Sequence, residues 1–245
     1  MVASDRYIAD GYLSVRGMSS RFAAVISAGT MRIQSEHGIS GHFVEIGTFE
    51  GRYFIALAHA LRDDERAIGF DTFVWPDEGI KARLEANLAK HGAAECSIAV
   101  KADSLNISAN DILSPAPGMR VRFFHIDGEH TPEHLSNDLA LAAATLDERG
   151  VICLDDMLHP GYPTLALTVD QFLQREKDFR VFCIIDRETI VAAAKYMLCR
   201  EAQMDFYMNA LMQAFPDNIW PMGADFRYDR KALVLSLDTR LADIS

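Results

Sequence analysis

Residues 121–130 read VRFFHIDGEH. The apolar run from Val121 to Ile126 has the length and the aromatic and β-branched content of a buried strand. It stops abruptly at Asp127, Gly128, Glu129 and His130. A second stretch, GVICLDDM at 150–157, repeats the pattern: Val151, Ile152, Cys153 and Leu154 run into Asp155 and Asp156. Carboxylates at the tip of a buried strand are costly unless something there uses them.

Working outward, short apolar runs alternate with helical patterns. Strands are expected at 42–46, 66–71, 96–101, 120–127, 150–155 and 179–185, with a seventh at 189–196. Helices are expected over about 51–62, 77–91, 106–113, 131–147, 163–177 and 200–214, with a helical prelude at 10–38. Thr131-Pro132-Glu133 is a helix start: a hydroxyl cap, then proline in the first turn. A last apolar run, KALVLSL, lies at 231–237. This alternation predicts an α/β fold, a doubly wound, mostly parallel seven-stranded sheet with an N-terminal helical extension. The expected organisation is a helical cap at 1–40, a core at 41–198, and a C-terminal helix and strand at 199–245 within the same domain.

The chain has 245 residues, a net charge of −11, 49% hydrophobic residues and 24% charged residues. That composition is ordinary for a globular protein. The acidic balance, without a Lys/Arg cluster, argues against nucleic acid or an anionic membrane as partner. Cysteines at 96, 153, 183 and 199 form no C-x-x-C pair, which reads as reduced-compartment usage. No signal peptide or long apolar span is visible, so a cytoplasmic protein is expected.

In such sheets ligands bind beyond the carboxyl ends of the strands, so the tips are where to look. The first ends in EIGTFEG, 45–51. Gly47 permits a sharp turn and Gly51 close helix packing, while Glu45 can accept from an ammonium and Thr48 lies between the glycines. The second ends at Asp71-Thr72, 24 positions after Gly47, where a ribose diol would be held. The third ends in Lys101-Ala102-Asp103-Ser104. Each carboxylate also has a plainer reading, as a turn or helix cap. Asp127 and the Asp155-Asp156 pair would end side by side. Three clustered carboxylates repel, and a hard divalent cation such as Mg²⁺, Ca²⁺ or Mn²⁺ removes that problem. The plainer reading is that Asp127 caps the next helix while Asp155 and Asp156 face solvent.

E-x-G-x-x-x-G at 45–51 resembles motif I of the class I S-adenosylmethionine (SAM) methyltransferases. With GFD, ADS, HIDGEHTPEHLSNDL at 125–139 and RGVICLDDM at 149–157, the chain resembles the macrocin O-methyltransferase-like small-molecule methyltransferases over roughly residues 40–175. Thr164-Leu165 stands where a subgroup often has Gly-Val. The resemblance implies SAM as methyl donor. Glu45, Gly47, Thr48, Gly51, Asp71, Thr72, Asp103, Ser104 and Asp127 are the cofactor-binding candidates. It also implies Mg²⁺ or a similar cation on Asp127, Asp155 and Asp156, and a small-molecule hydroxyl acceptor, a sugar or secondary metabolite.

The base that takes the hydroxyl proton is open among Glu129, His130 and His159. His125, inside a strand, reads as a satisfied core histidine, and Asp138 as structural. The apolar stretch Met204, Phe206, Tyr207, Met208, Leu211 and Met212 reads as core or dimer packing, which makes a homo-oligomer an expectation. Two alternatives stand beside methyl transfer: a nucleotide-cofactor oxidoreductase, disfavoured by the lack of G-x-G-x-x-G, and a non-catalytic SAM-binding oligomer.

Overall fold

A computed structural model describes residues 2–225 and 231–239. Its strands are β1 (His42–Ile46), β2 (Ala67–Asp71), β3 (Ser97–Lys101), β4 (Val121–Ile126), β5 (Leu146–Met157), β6 (Phe179–Ile185), β7 (Ala194–Arg200), β8 (Ala224–Asp225) and β9 (Lys231–Leu235). They form one sheet in the order β3-β2-β1-β4-β5-β7-β6-β9-β8. Strands β1 to β5 run parallel to one another; β7 is antiparallel to both β5 and β6. The anticipated seven strands are all present, and β9 and β8 extend the sheet past β6.

The helices are α1 (Ala3–Arg6), α2 (Arg21–Glu36), α3 (Arg52–Ala58), α4 (Ile80–Lys90), α5 (Ala109–Leu113), α6 (Pro132–Thr145), α7 (Thr164–Arg175) and α8 (Met204–Ala214). The prelude anticipated at 10–38 is a helix only from Arg21, where the Ser20 hydroxyl accepts from the Ala23 N–H. Before it the chain makes short turns of helix up to Ser14. Residues 226–230 and 240–245 of the expected C-terminal extension lie outside the described residues.

Parallel strands covered on both faces are apolar on both. Phe123 of β4 packs with Phe43 and Phe54 on the face covered by α2, α3 and α8; its neighbour Phe124 packs with Val44, Leu139 and Phe172 on the face covered by α6 and α7. Arg122, fully buried in this strand, is satisfied at the far end of the sheet. Its guanidinium donates to Glu65 at 2.6 Å and to the Met31 carbonyl at 2.7 Å. The apolar residues of 204–212 serve the interior: Met204, Tyr207 and Leu211 are buried, and the Gln34 amide donates to the Tyr207 hydroxyl at 3.0 Å.

Two expectations shift. The seventh strand begins at Ala194 rather than 189, and 186–193 is a loop. The fifth begins at Leu146, with a register break between its pairing to Val121 and to Phe123. No described helix is long and apolar enough to cross a membrane.

Candidate active site

The strand order reverses between β1 and β4, and a cleft of about 610 Å³ opens there above the strand tips. Register brings the tips together. Ile46 pairs with Ile126 and Ile126 with Leu154, so Gly47, Asp127 and Asp155 follow side by side. The approach is close: a Cβ on Gly47, whose φ is +86°, would stand 1.9 Å from the Asp127 carbonyl oxygen. Gly51, at φ +88°, lies against Leu84 of α4 at the start of α3.

Asp71 organises one end of the cleft. Its two carboxylate oxygens accept the Phe49 N–H at 2.9 Å and the Phe73 N–H at 2.7 Å. Thr72 and Trp75 border the same end. Asp103 does what the plainer reading required, accepting the Leu105 N–H at 3.0 Å, yet it also lines the cleft beside the buried Ser104. Asp138 is buried nearby. Burial pushes its carboxyl up to about 6, and its Oδ2 has no partner. Asp127 caps nothing, because Thr131 caps α6.

Glu45 Oε2 and Thr48 Oγ1 are also buried without a partner. Both residues line a small chamber at the inner end of the cleft, with Gly47, Arg52 and Asp127. Orphaned buried polar atoms are rare in folded proteins and mark a place where a ligand completes the bonding. A carboxylate beside a hydroxyl and an arginine suits the ammonium and carboxylate of an amino-acid tail. The residues present therefore fit the amino-acid end of a ligand such as SAM.

Asp155 and Asp156 should face opposite sides of a regular strand. They do not, because β5 carries a bulge between Leu154 and Met157, and Asp156 is left-handed at φ +56°. Such a conformation costs on the order of 1–3 kcal/mol and concentrates at functional sites. It turns both carboxylates into the cleft.

They meet different partners there. Asp156 Oδ2 lies 2.5 Å from His130 Nε2. A carboxylate only accepts, so Nε2 carries the proton and the neutral ring keeps its lone pair on Nδ1. The His130 ring stacks on Tyr162 at 4.2 Å and 8°, and His159 stacks on the same ring at 4.8 Å. Burial lowers the His130 pKa, but the Asp156 carboxylate more than offsets it, and the net shift is upward. Glu129 is exposed at the rim, and His159 accepts the Gly161 N–H through Nδ1 at 3.0 Å.

Asp155 is closed off. Its Oδ1 accepts the Asp156 N–H at 2.7 Å; its Oδ2 accepts the Ser19 hydroxyl at 3.0 Å and pairs with the Lys195 ammonium. Lys195, on β7 and 1% exposed, also lies 3.1 Å from His125 Nε2 and 3.2 Å from Ser19 Oγ. His125 Nδ1 in turn lies 2.7 Å from Glu45 Oε1. Burial would raise the Asp155 pKa, but the Lys195 charge overrides it and holds the carboxyl well below the usual range. Burial, with Asp155 next to it, pushes Asp127 well up.

The anticipated metal set is thus divided. Ligand atoms of Asp127, His130 and Asp156 lie within 4.8 Å of one another, and so do those of His125, Asp127 and Asp155. The second group already has the Lys195 ammonium in contact with His125 and Asp155. An oxygen-only site on Asp127, Asp155 and Asp156 does not fit these residues as they stand. Sequence reading missed Lys195, Ser19 and Tyr162. A signal existed for the first: a lysine amid AAAKYML, since a lysine in an apolar strand needs a partner.

A family model described as "Methyltransferase domain" matches residues 44–157. Residues 44–157 are a methyltransferase domain. The methyltransferase domain holds every tip from Glu45 to Asp156, whereas Lys195 lies beyond the matched stretch. No curated protein gives a significant match to the chain. Among solved structures, the chain is similar to the O-methyltransferase TomG from Streptomyces achromogenes in complex with SAM, at 17% identity, TM-score 0.53, over 82% of this chain and 99% of that one. It is similar to an O-methyltransferase from Bacillus cereus in complex with SAH, at 11% identity, TM-score 0.57, over 81% and 91%. It is similar also to CalS11, a TDP-rhamnose 3'-O-methyltransferase, at 17% identity, TM-score 0.53, over 81% and 86%. At these identities the likeness carries the fold.

Proposed function

We propose that this chain is a SAM-dependent O-methyltransferase acting on a hydroxyl of a small molecule, a sugar or secondary metabolite. One observation carries the reading. A cleft runs from Asp71 and Asp103, past Gly47, to the His130–Asp156 pair, and Gly47 and Asp127 also line the adjoining chamber that holds the unpartnered Glu45 Oε2 and Thr48 Oγ1. TomG and the Bacillus cereus enzyme, of the same fold, are described in complex with SAM and SAH.

When bound, SAM supplies an electrophilic methyl group on its sulfonium. The chain's own work is to hold the acceptor oxygen in line with that methyl and to take its proton. His130 is the base. Asp156 fixes its tautomer and leaves Nδ1 to accept the hydroxyl proton, with Tyr162 holding the ring from one face. Met18, Tyr162, His159 and Val191 line this end of the cleft and set the shape an acceptor must fit.

A second reading rests on the proximity of Asp127, His130 and Asp156 ligand atoms. It adds a hard divalent cation such as Mg²⁺, which would polarise the acceptor hydroxyl. Calorimetric titration with SAM, SAH and NAD tests the main reading: SAM and SAH should bind one per chain. Tight NAD binding without SAM binding would sink it in favour of an oxidoreductase. Repeating the SAM titration after chelation separates the two readings.

A further inference from the structure

The acidic floor of the cleft already contains a cation. We propose that the Lys195 ammonium is the resident positive charge of this site and that the chain holds its acceptor without a divalent metal on Asp155. The proposal deepens the methyltransferase reading and rests on it.

Asp155 is already held on both oxygens, and the ammonium occupies the oxygen that faces His125 and Ser19. Both oxygens take protein donors: the Asp156 N–H on one, the Ser19 hydroxyl and Lys195 on the other. A divalent ion ligated by Asp155 would have to displace the ammonium or sit against it, and like charges in a buried site repel strongly. The ammonium has nowhere to go. It is 1% exposed, its Nζ stands 4.7 Å from the Tyr53 ring centre, and His125 and Ser19 flank it. An ammonium moved into the surrounding apolar core would lose these contacts without gaining water.

The pair is also held by a line of side chains across four adjacent strands in the middle of the sheet. Glu45 of β1 holds His125 of β4, His125 faces Lys195 of β7, and Lys195 holds Asp155 of β5. This line of side chains crosses under Asp127, which carries no protein donor on its carboxylate among the described residues. Asp127 is therefore left for the ligand, while Asp155 serves as the counter-ion of Lys195. Lys195 is a positioning residue: it acts through Asp155 and Ser19, not on the reacting atoms.

The test uses Mn²⁺ alone as probe, with the full chain dialysed against EDTA. Bound Mn²⁺ is read by electron paramagnetic resonance, and SAH binding is read by calorimetry on the same samples. Wild type should show no micromolar Mn²⁺ site that Asp155→Asn removes; any Mn²⁺ it does take up should bind Asp155→Asn equally well. Lys195→Met, which leaves Asp155 without its cation, should bind Mn²⁺ at least about tenfold more tightly than wild type. Stoichiometric micromolar Mn²⁺ binding by wild type that Asp155→Asn abolishes would overturn the proposal, as would a Lys195→Met chain no better at binding Mn²⁺ than wild type. If Lys195→Met does not fold, wild type and Asp155→Asn decide by themselves. Loss of SAH binding in wild type would instead defeat the methyltransferase reading, so the two failures are distinct.

Discussion

His130 Nε2 stands 2.5 Å from the Asp156 carboxylate, and this contact exists because Asp156 leaves the regular strand geometry at φ +56°. A histidine that opens the segment before α6 and a carboxylate at the end of β5 become an oriented base. His130→Ala should lower kcat by about 10²–10⁴-fold, while SAH affinity measured by calorimetry stays within a few-fold of wild type.

The pH profile follows from the same pair. Burial lowers the His130 pKa, but the Asp156 carboxylate more than offsets this, so the folded value is above the ordinary imidazole value. The neutral ring is the base, so kcat should be low in acid and rise as pH climbs through that raised value. Asp156→Asn removes the charge that raises it and should move the midpoint to lower pH. A midpoint unchanged in that variant means that another group titrates. The protonated pair also adds stability that is present in full below the unfolded imidazole value and lost as pH rises through the folded one.

Gly47→Ala tests the cradle at the tip of β1. The added Cβ would stand 1.9 Å from the Asp127 carbonyl oxygen, at a φ of +86°. Backbone must move, and a loss of at least about 2 kcal/mol of stability is expected, read by urea unfolding. SAM binding should fall with it. A variant that melts and binds SAM as wild type does would refute the close approach of these two tips.

Asp71→Ala removes the acceptor for two backbone N–H groups, those of Phe49 and Phe73. It also removes the carboxylate proposed to hold the ribose diol. SAH affinity should fall by about tenfold to a hundredfold, since hydrogen bonds to a charged group are the stronger kind. An unchanged dissociation constant would remove Asp71 from the cofactor site.

The Lys195–Asp155 pair makes a stability statement separate from the metal question. Removing one partner of a buried ion pair leaves an uncompensated charge and costs about 3–5 kcal/mol. Lys195→Met alone should destabilise by that order in urea unfolding. The double variant Lys195→Met/Asp155→Leu, apolar on both sides, should recover most of the loss. Equal destabilisation in single and double variants would mean that the pair is not what holds this part of the core.

The strand tips were legible because glycines and carboxylates interrupt apolar runs, and such interruptions mark a parallel sheet whatever the tertiary detail. His42–Ile46 and Phe179–Ile185 are the strands expected from their apolar runs, and Thr131 caps its helix as its neighbours implied. The start of β7 was not legible. AAAKYML reads as an apolar run with a charge in it, and only pairing with β5 and β6 sets where the strand begins. The helix at 204–212 could be read as apolar but not assigned, since a sequence does not say whether an apolar face meets its own chain or another. Tyr207 meets Gln34 and Phe182.

What the sequence determined by itself was the alternation of strands and helices, and hence a sheet whose ligand-binding edge collects Glu45, Gly47, Asp71, Asp103, Asp127, Asp155 and Asp156. Local periodicity and turn chemistry suffice for that. What only the tertiary structure decided was how those carboxylates divide their partners. Asp155 and Asp156 are adjacent in the chain, yet a bulge sends one to Lys195, 40 positions away by number, and the other to His130. Electrostatics in a buried site depends on which charge lies within a few ångströms, and that distance is set by strand pairing between segments that the sequence keeps far apart.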